Sequence, residues 1–297
     1  MADNDTLQRF MFEKTPIRGE VVHLDATWQA ILAKHDYPPL VRNMLGEMMA
    51  AAVLLSATLK LNGRLVIQLQ GNGPVTLMVV ECSNAHELRG LAHWQELPEE
   101  GDLTSLAGDG RLTITLEPAD DQERYQSIVE LKGSTLSDAL MNYLQQSEQL
   151  DTHLWLAANE QRASGLLLQK LPKDIKMEMA EGEDPDAWNR IIKLSDTVTR
   201  EELLEVEELN LLHRLYHEES VRIFEPLPVC FRCSCSRERV ANMLQTIGIE
   251  ELNSIIEEQG QVSVACEFCN QKYEFDSVDV GGLFTESIAN SPSETRH

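Results

Sequence analysis

Six cysteines are spread unevenly over the 297 residues: Cys82 stands alone, and Cys230, Cys233, Cys235, Cys266 and Cys269 fall in the last quarter. Patterned thiols in a reducing compartment, where disulfides are rare, bind metal or do redox work. Cys266-x-x-Cys269 has the spacing of a zinc knuckle, in which both thiolates reach one tetrahedral ion about 2.3 Å from each sulfur. The upstream set, Cys230-x-x-Cys233-x-Cys235, admits two pairings. Cys230 with Cys233 gives a C-x-x-C…C-x-x-C ribbon, and Cys233 with Cys235 gives C-x-C…C-x-x-C with Cys230 spare. Either choice offers four thiolates to one zinc ion per chain across an insert of 30 residues. A zinc that only holds the fold is one reading. In the other, zinc keeps the thiols as thiolates, the form that oxidants attack, and metal loss removes the free energy that folds a small module. The C-x-C pair also closes a strained ring when oxidised.

The elements that must position these thiols are short. Ser236 can cap a helix over Arg237 to Ile247, ended by Gly248, and a second helix over Glu250 to Gln259 ends at Gly260. Val262 to Tyr273 reads as a hairpin around Cys266 and Cys269. A module of roughly sixty residues with so few large apolar side chains needs a metal or disulfide staple. The polar stretch after Glu286 is expected to be disordered.

The region up to about residue 176 is an ordinary globular domain in pattern. Asp25 to His35 and Pro39 to Lys60 read as helices, with Leu40, Met44, Met48 and Leu55 at helical spacing. Leu65 to Gln70 and Val75 to Glu81 flank the turn Gly71-Asn72-Gly73-Pro74 as a hairpin. Arg111 to Leu116, Arg124 to Leu131, Asp151 to Ala158 and Gly165 to Leu171 are further strands, and Thr135-x-x-Asp138 opens a helix through about Ser147. The fold class is therefore α+β: an N-terminal mixed domain with largely antiparallel sheet, a helical linker, and a small C-terminal zinc domain held by four cysteines.

Charge separates the linker from its neighbours. Met177 to Glu225 holds 14 acidic and 5 basic residues, a net of −9 in 49 residues, whereas the first 176 residues also carry −9, from 24 acidic and 15 basic. Thr199-x-x-Glu202 reads as a capping box, and Leu204, Leu211, Leu212, Leu215 and Tyr216 follow at spacings that put most of them on one helical face. Such a helix is marginal alone and must dock, either permanently on the first domain or conditionally, as a metastable element. The expected division is thus a core domain at 1–176, an acidic linker at 177–225, a zinc-binding switch at 226–287 and a tail at 288–297.

The net charge of −24 argues against a protein built to grip phosphate backbones. The longest apolar run, Met48 to Leu55, is eight residues, against about 20 for a spanning helix. The acidic N-terminus has no apolar core after it, so a signal peptide is not expected, and the expected location is the cytosol.

Cys233-Ser234-Cys235-Ser236-Arg237-Glu238-Arg239 followed by Cys266-Glu267-Phe268-Cys269 resembles the bacterial 33 kDa chaperonin family, redox-regulated heat-shock holdases. The resemblance extends to His35-Asp36-Tyr37-Pro38, Thr58-Leu59-Lys60, Gln68 to Pro74, Arg124-Tyr125-Gln126, Gly165 to Gln169 and Leu215-Tyr216-His217-Glu218-Glu219. It implies that the zinc ligands are Cys233, Cys235, Cys266 and Cys269, with Cys230 outside the family pattern. It further implies that oxidation joins Cys233 to Cys235 and Cys266 to Cys269, expels zinc, and unfolds the small domain and the linker. The exposed apolar surface then holds unfolding or oxidatively damaged clients without ATP, for hand-over to ATP-dependent foldase chaperones. The resemblance leaves a homodimer on activation open. It implies no catalytic residue, no nucleic acid and no membrane.

Other readings fit the residues less well. A zinc-ribbon regulatory or nucleic-acid-binding protein with a structural zinc has Arg232, Arg237, Arg239 and Lys272 to offer, but 11 acidic residues from Pro226 onward oppose them. A thiol-disulfide oxidoreductase needs one exposed C-x-x-C, not four thiols sharing a metal. His217-Glu218-Glu219 before Cys230-x-x-Cys233 departs from the zinc deaminase pattern in spacing. His213 and His217 lack the intervening Glu of H-E-x-x-H and read as exposed helix residues. Cys82 reads as a packed free thiol.

Overall fold

The computed structural model describes residues 5–59, 62–119, 123–147, 149–172, 184 and 186–289. The start of the expected linker, 177–183, Lys60 at the end of the expected second helix, and the tail from 290 lie outside the described residues. The chain divides into two compact units, Met1–Arg232 and Cys233–His297.

The first unit runs β1 (Thr6–Phe12), β2 (Ile17–Leu24), α1 (Ala26–Leu32), α2 (Pro39–Thr58), β3 (Gly63–Gln70), β4 (Val75–Ser83), β5 (Glu87–Trp94), α3 (Leu103–Ala107), β6 (Arg111–Pro118), β7 (Tyr125–Glu130), α4 (Leu136–Ser147), β8 (Thr152–Ala158) and β9 (Ala163–Lys170). It continues with α5 (Ala187–Ser195), α6 (Arg200–Glu205), α7 (Glu208–Tyr216), β10 (Val221–Ile223), β11 (Leu227–Pro228) and β12 (Cys230–Phe231). One sheet has the order β10-β1-β2-β9-β8, with β11 also on β1, and the other has β12-β5-β4-β3-β6-β7. Among the described residues of this unit, every pairing is antiparallel except β12 with β5.

From Met48 to Leu55 helix α2 is apolar around its circumference, the composition of a helix segment buried on all sides. By length and hydropathy it could cross a membrane. Here it is the centre of the main core, with Leu45, Met48, Met49 and Leu54 fully buried among inward residues of both sheets. Gly46 lets it approach β8, because a Cβ there would lie 2.5 Å from the Cβ of Ala158.

Both faces of β2 and β9 are buried, the reason the β9 sequence Gly165-Leu166-Leu167-Leu168 is a continuous apolar run. The inner face meets α2; the outer face meets α5, α6 and α7. Phe10, Phe12, Val21, Leu166 and Leu168 of the sheet form a second core with Leu204, Leu211, Leu212, Leu215 and Tyr216 of those helices. The Tyr216 ring lies 5.0 Å from Phe12 and 5.8 Å from Phe10, and its hydroxyl pairs with Ser195 Oγ at 2.7 Å. Polar anchors fix the helices further. Arg200 pairs with Glu47 at 2.9 Å, Arg162 donates to Leu204 O at 2.7 Å while holding Asp25, and His23 Nε2 lies 3.0 Å from Leu203 O. The expected capping box of Thr199 with Glu202 is present.

The second unit comprises α8 (Arg237–Ile247), α9 (Ile249–Gln259), the antiparallel hairpin β13 (Val262–Ala265) and β14 (Lys272–Phe275), and α10 (Ser277–Ala289). Its buried centre consists of Leu244, Leu252, Val262, Phe275 and Val280. Helix α10 continues past Glu286, where the sequence reads as a polar tail.

Candidate metal centre

Two short loops bring four thiols together. Cys233 and Cys235 lie immediately before α8, and Cys266 and Cys269 lie in the turn joining β13 to β14. Their sulfurs all fall within 4.8 Å of one another. The Cys233–Cys266 and Cys235–Cys269 sulfur pairs are 3.7 and 3.4 Å apart. A tetrahedron with metal–sulfur bonds of about 2.3 Å has edges of about 3.8 Å, whereas a disulfide closes to about 2.05 Å. The spacing is that of ligands around an ion, and all six cysteines are free thiols.

Each loop has its own geometric support. Ser236 Oγ accepts from the Arg239 amide and caps α8, and the Arg239 guanidinium reaches back to Ser234 O at 2.9 Å and Ser234 Oγ at 2.8 Å. On the other side, Asn270, in the left-handed region at φ 57°, donates its amide to Cys266 O at 2.7 Å, and Cys266 N donates to Gln271 O at 2.9 Å. Tyr273 donates its hydroxyl to Cys235 Sγ at 3.2 Å. Arg237 lies 4.2 Å over the Phe275 ring and donates to Glu274 O and Asp279, each at 2.8 Å. Arg237 thus locks the first turn of α8 to the hairpin and α10, and Arg239 ties that turn to the Cys233–Cys235 loop.

Electrostatics ask for a cation. Burial, followed by crowding from Cys235, Cys233 and Cys266, pushes the Cys269 thiol well above its usual range. Burial also raises Cys266, against the pull of the Cys269 and Phe268 amides. The Cys235 sulfur, through its hydrogen bond, pushes Tyr273 up to about 12. Four adjacent thiols cannot all ionise unaided; a divalent cation lets them. The donor set therefore fits a metal ion.

The remaining candidates lie elsewhere. Cys230 is exposed on β12 in the first unit and is outside the group of four. Cys82 is fully buried, 3.2 Å from Ser56 Oγ, and burial raises its thiol to about 12. His213 and His217 are exposed on and just after α7. Gly71-Asn72-Gly73 forms the turn of the β3–β4 hairpin. Tyr273 and the two arginines escaped the reading by type. A cation at the first and third positions of a helix opposes its macrodipole, and that misfit was the available signal.

A family model described as Hsp33 protein matches residues 5–276, spanning both units and all four clustered thiols. The chain belongs to the Hsp33 family. Among the family's curated members, a 33 kDa chaperonin of Methylobacillus flagellatus is 46% identical and one of Nitrosococcus oceani 47% identical, each with 100% of both chains covered. A third, from Ectopseudomonas mendocina, is 48% identical over 99% of this chain and 100% of its own. The fold also matches the crystal structure of a 33 kDa chaperonin from Thermotoga maritima, with a TM-score of 0.80 at 21% identity over 96% of this chain and 99% of that one.

Proposed function

We propose that this chain is a redox-regulated, ATP-independent holdase that protects unfolding proteins from aggregation under oxidative stress. Membership in the Hsp33 family supports the chaperone activity. The convergence of four thiols on a module with few buried apolar residues carries the regulation.

Zinc bound by Cys233, Cys235, Cys266 and Cys269 holds the module folded in the reduced state and keeps the sulfurs as thiolates. Oxidation joins Cys233 to Cys235 and Cys266 to Cys269. Forming each disulfide from two thiolates gives up two electrons; hydrogen peroxide accepts them with two protons from solvent, its O–O bond breaks and two waters form. Joined cysteines no longer offer thiolates, so the module loses its ligands and unfolds. The segment 177–225 acts as a metastable linker: its helices leave the outer face of β1, β2 and β9, and the apolar surface left behind captures unfolded clients. Fourteen acidic residues in that segment keep the opened form in solution. Clients pass to ATP-dependent foldases, the protein acts in the cytoplasm, and no catalysis, nucleic acid or membrane enters the cycle.

The test is light scattering from a heat-denatured client with reduced and oxidised protein side by side, with metal analysis. Zinc release and client protection are expected to rise together. Equal protection by the reduced protein overturns the switch.

A further inference from the structure

Strand β8 ends the first sheet and is paired with β9 on one side only. The phase of that ladder follows from its two ends, where Lys170 N donates to Asp151 O and Asn159 N to Arg162 O, each at 2.9 Å. Antiparallel pairs bond alternately. His153, Trp155 and Ala157 therefore turn their backbone groups toward β9, and Thr152, Leu154, Leu156 and Ala158 turn theirs away from the sheet. Ala158 O is taken by the Arg200 guanidinium at the start of α6, which also pairs with Glu47 at 2.9 Å. Among the described residues, the outward N–H and C=O of Leu154 and Leu156 meet no partner.

Edge strands of soluble proteins are usually guarded by a lysine, a proline or a bulge, or are kept very short. β8 is seven residues long, reads Thr-His-Leu-Trp-Leu-Ala-Ala, and keeps an unbroken register on β9. Its protection is cover instead. α4 and α6 pack against it, Leu154 is 3% exposed, and a cleft of about 350 Å³ is lined by Met141, Leu154, Leu156, Val198 and Arg200. Backbone groups covered but unpaired are costly to keep, and a strand laid beside them satisfies both residues at once. The other edges differ. β10 and β12 are three and two residues long. β7 has six residues, but its Tyr125 and Ile128 are already 52% and 67% exposed with α6 docked, so displacing α6 changes nothing there.

We propose that the β8 edge is a client-pairing site, on which an extended segment of an unfolding protein adds as a further strand once α6 is displaced. This rests on the redox-holdase reading and adds to it the place and manner of capture. The segment's backbone bonds the outward groups of Leu154 and Leu156, and the Ala158 carbonyl that Arg200 gives up extends the run. Its alternate side chains lie beside Leu154 and Leu156 on one face and beside Trp155 on the other. Recognition through the main chain is indifferent to most side chains, which suits a partner defined by being unfolded rather than by its sequence.

Amide exchange on the oxidised full chain, without and with a permanently unfolded, carboxymethylated client, tests the site. With client bound, exchange at Leu154 and Leu156 is expected to slow by about tenfold, while His153 and Trp155, already bonded to β9, are unchanged. Leu156→Pro deletes an N–H that the β9 ladder does not use, a position where an edge strand accepts proline. It is expected to weaken client binding by about fivefold, and Leu156→Ala, which keeps the N–H, by about twofold. Leu154 and Leu156 amides that exchange as fast with client bound as without it overturn the site, and so does equal weakening by the proline and alanine variants. An oxidised wild-type chain that binds no client overturns the holdase reading itself.

Discussion

The first unit and the C-terminal module build their interiors from different materials. The first encloses α2 between two sheets and buries a second layer under α5, α6 and α7. The module buries Leu244, Leu252, Val262, Phe275 and Val280, and draws its four cysteines to one point. Full burial of one such side chain contributes about 2 kcal/mol, whereas a structural zinc contributes about 10–16 kcal/mol at neutral pH. A fold held by hydrocarbon has no chemical handle, and a fold held by thiolate ligands can be dismissed by an oxidant. On the proposed reading, the sensor sits in the unit with the smaller apolar interior.

Metal removal probes that contrast most strongly. A chelator is expected to abolish exchange protection in α8, α9 and α10 while β2 and β9 stay protected. Single serine variants sharpen it: Cys235→Ser is expected to lose the metal and Cys230→Ser to retain it, as read by metal analysis. Retention by the first and loss by the second would falsify the ligand set.

The next effect lies in the layer between the two extremes. Tyr216→Ala removes a ring packed on Phe10 and Phe12, at a cost of about 3 kcal/mol to linker docking. The reduced, metal-loaded variant is expected to suppress client aggregation where the wild-type chain does not. An inactive variant with normal metal content would mean that the layer is as permanent as the main core.

Acid tests the same seam with a smaller effect. Burial, followed by the Arg162 guanidinium, lowers His23 to about 4, against the opposing pull of Asp25 and Glu207; its Nδ1 lies 3.5 Å from Glu208. A released imidazole takes its proton near 6.5. The docked form's contribution from His23 is therefore complete above about 6.5 and is lost as pH falls through about 4. Binding of an apolar dye to the reduced protein is expected to rise across that window, and His23→Gln is expected to flatten the rise.

The smallest expected effect lies in the module. Arg237→Ala forfeits the stacking on Phe275 and the half-exposed pair with Asp279, about 1 kcal/mol. The chelator concentration at half-unfolding is expected to drop by several-fold, with the metal still bound at saturation.

Much of this architecture was legible because local signals agree with the fold. Thr135 with Asp138, Thr199 with Glu202, and Ser236 before α8 cap their helices. Gly248 and Gly260 end theirs at φ 99° and 82°. The spacing offered two cysteine sets, the resemblance chose between them, and the chosen four are the ones that converge. What was not legible depends on partners far away in sequence. β1 and β2 carry Arg9, Arg18 and Glu20 on a face that the fold buries or half-buries, so alternation gives no clean strand signal. Gly19 within β2 looks like a breaker, yet it makes room for the Phe10 ring. β10, β11 and β12 are two or three residues long and exist only against β1 and β5. α10 contains Gly281 and Gly282, poor helix formers that tertiary packing overrides.

The placement of the indoles gives this protein a clock of its own. Trp28 is sealed in the main core and Trp94 lies against Tyr37. Trp155 bonds Asp196 at 3.2 Å and stacks on His153, which Trp188 of α5 meets edge-on. The module from Cys233 onward contains no tryptophan. Tryptophan emission, excited selectively over Tyr273, therefore has no reporter beside the sulfurs and responds when the α5 helix moves. If the proposed switch operates, the delay between thiol consumption and the change in tryptophan emission, measured in one cuvette without a label, is the time between oxidation of the thiols and release of the helices.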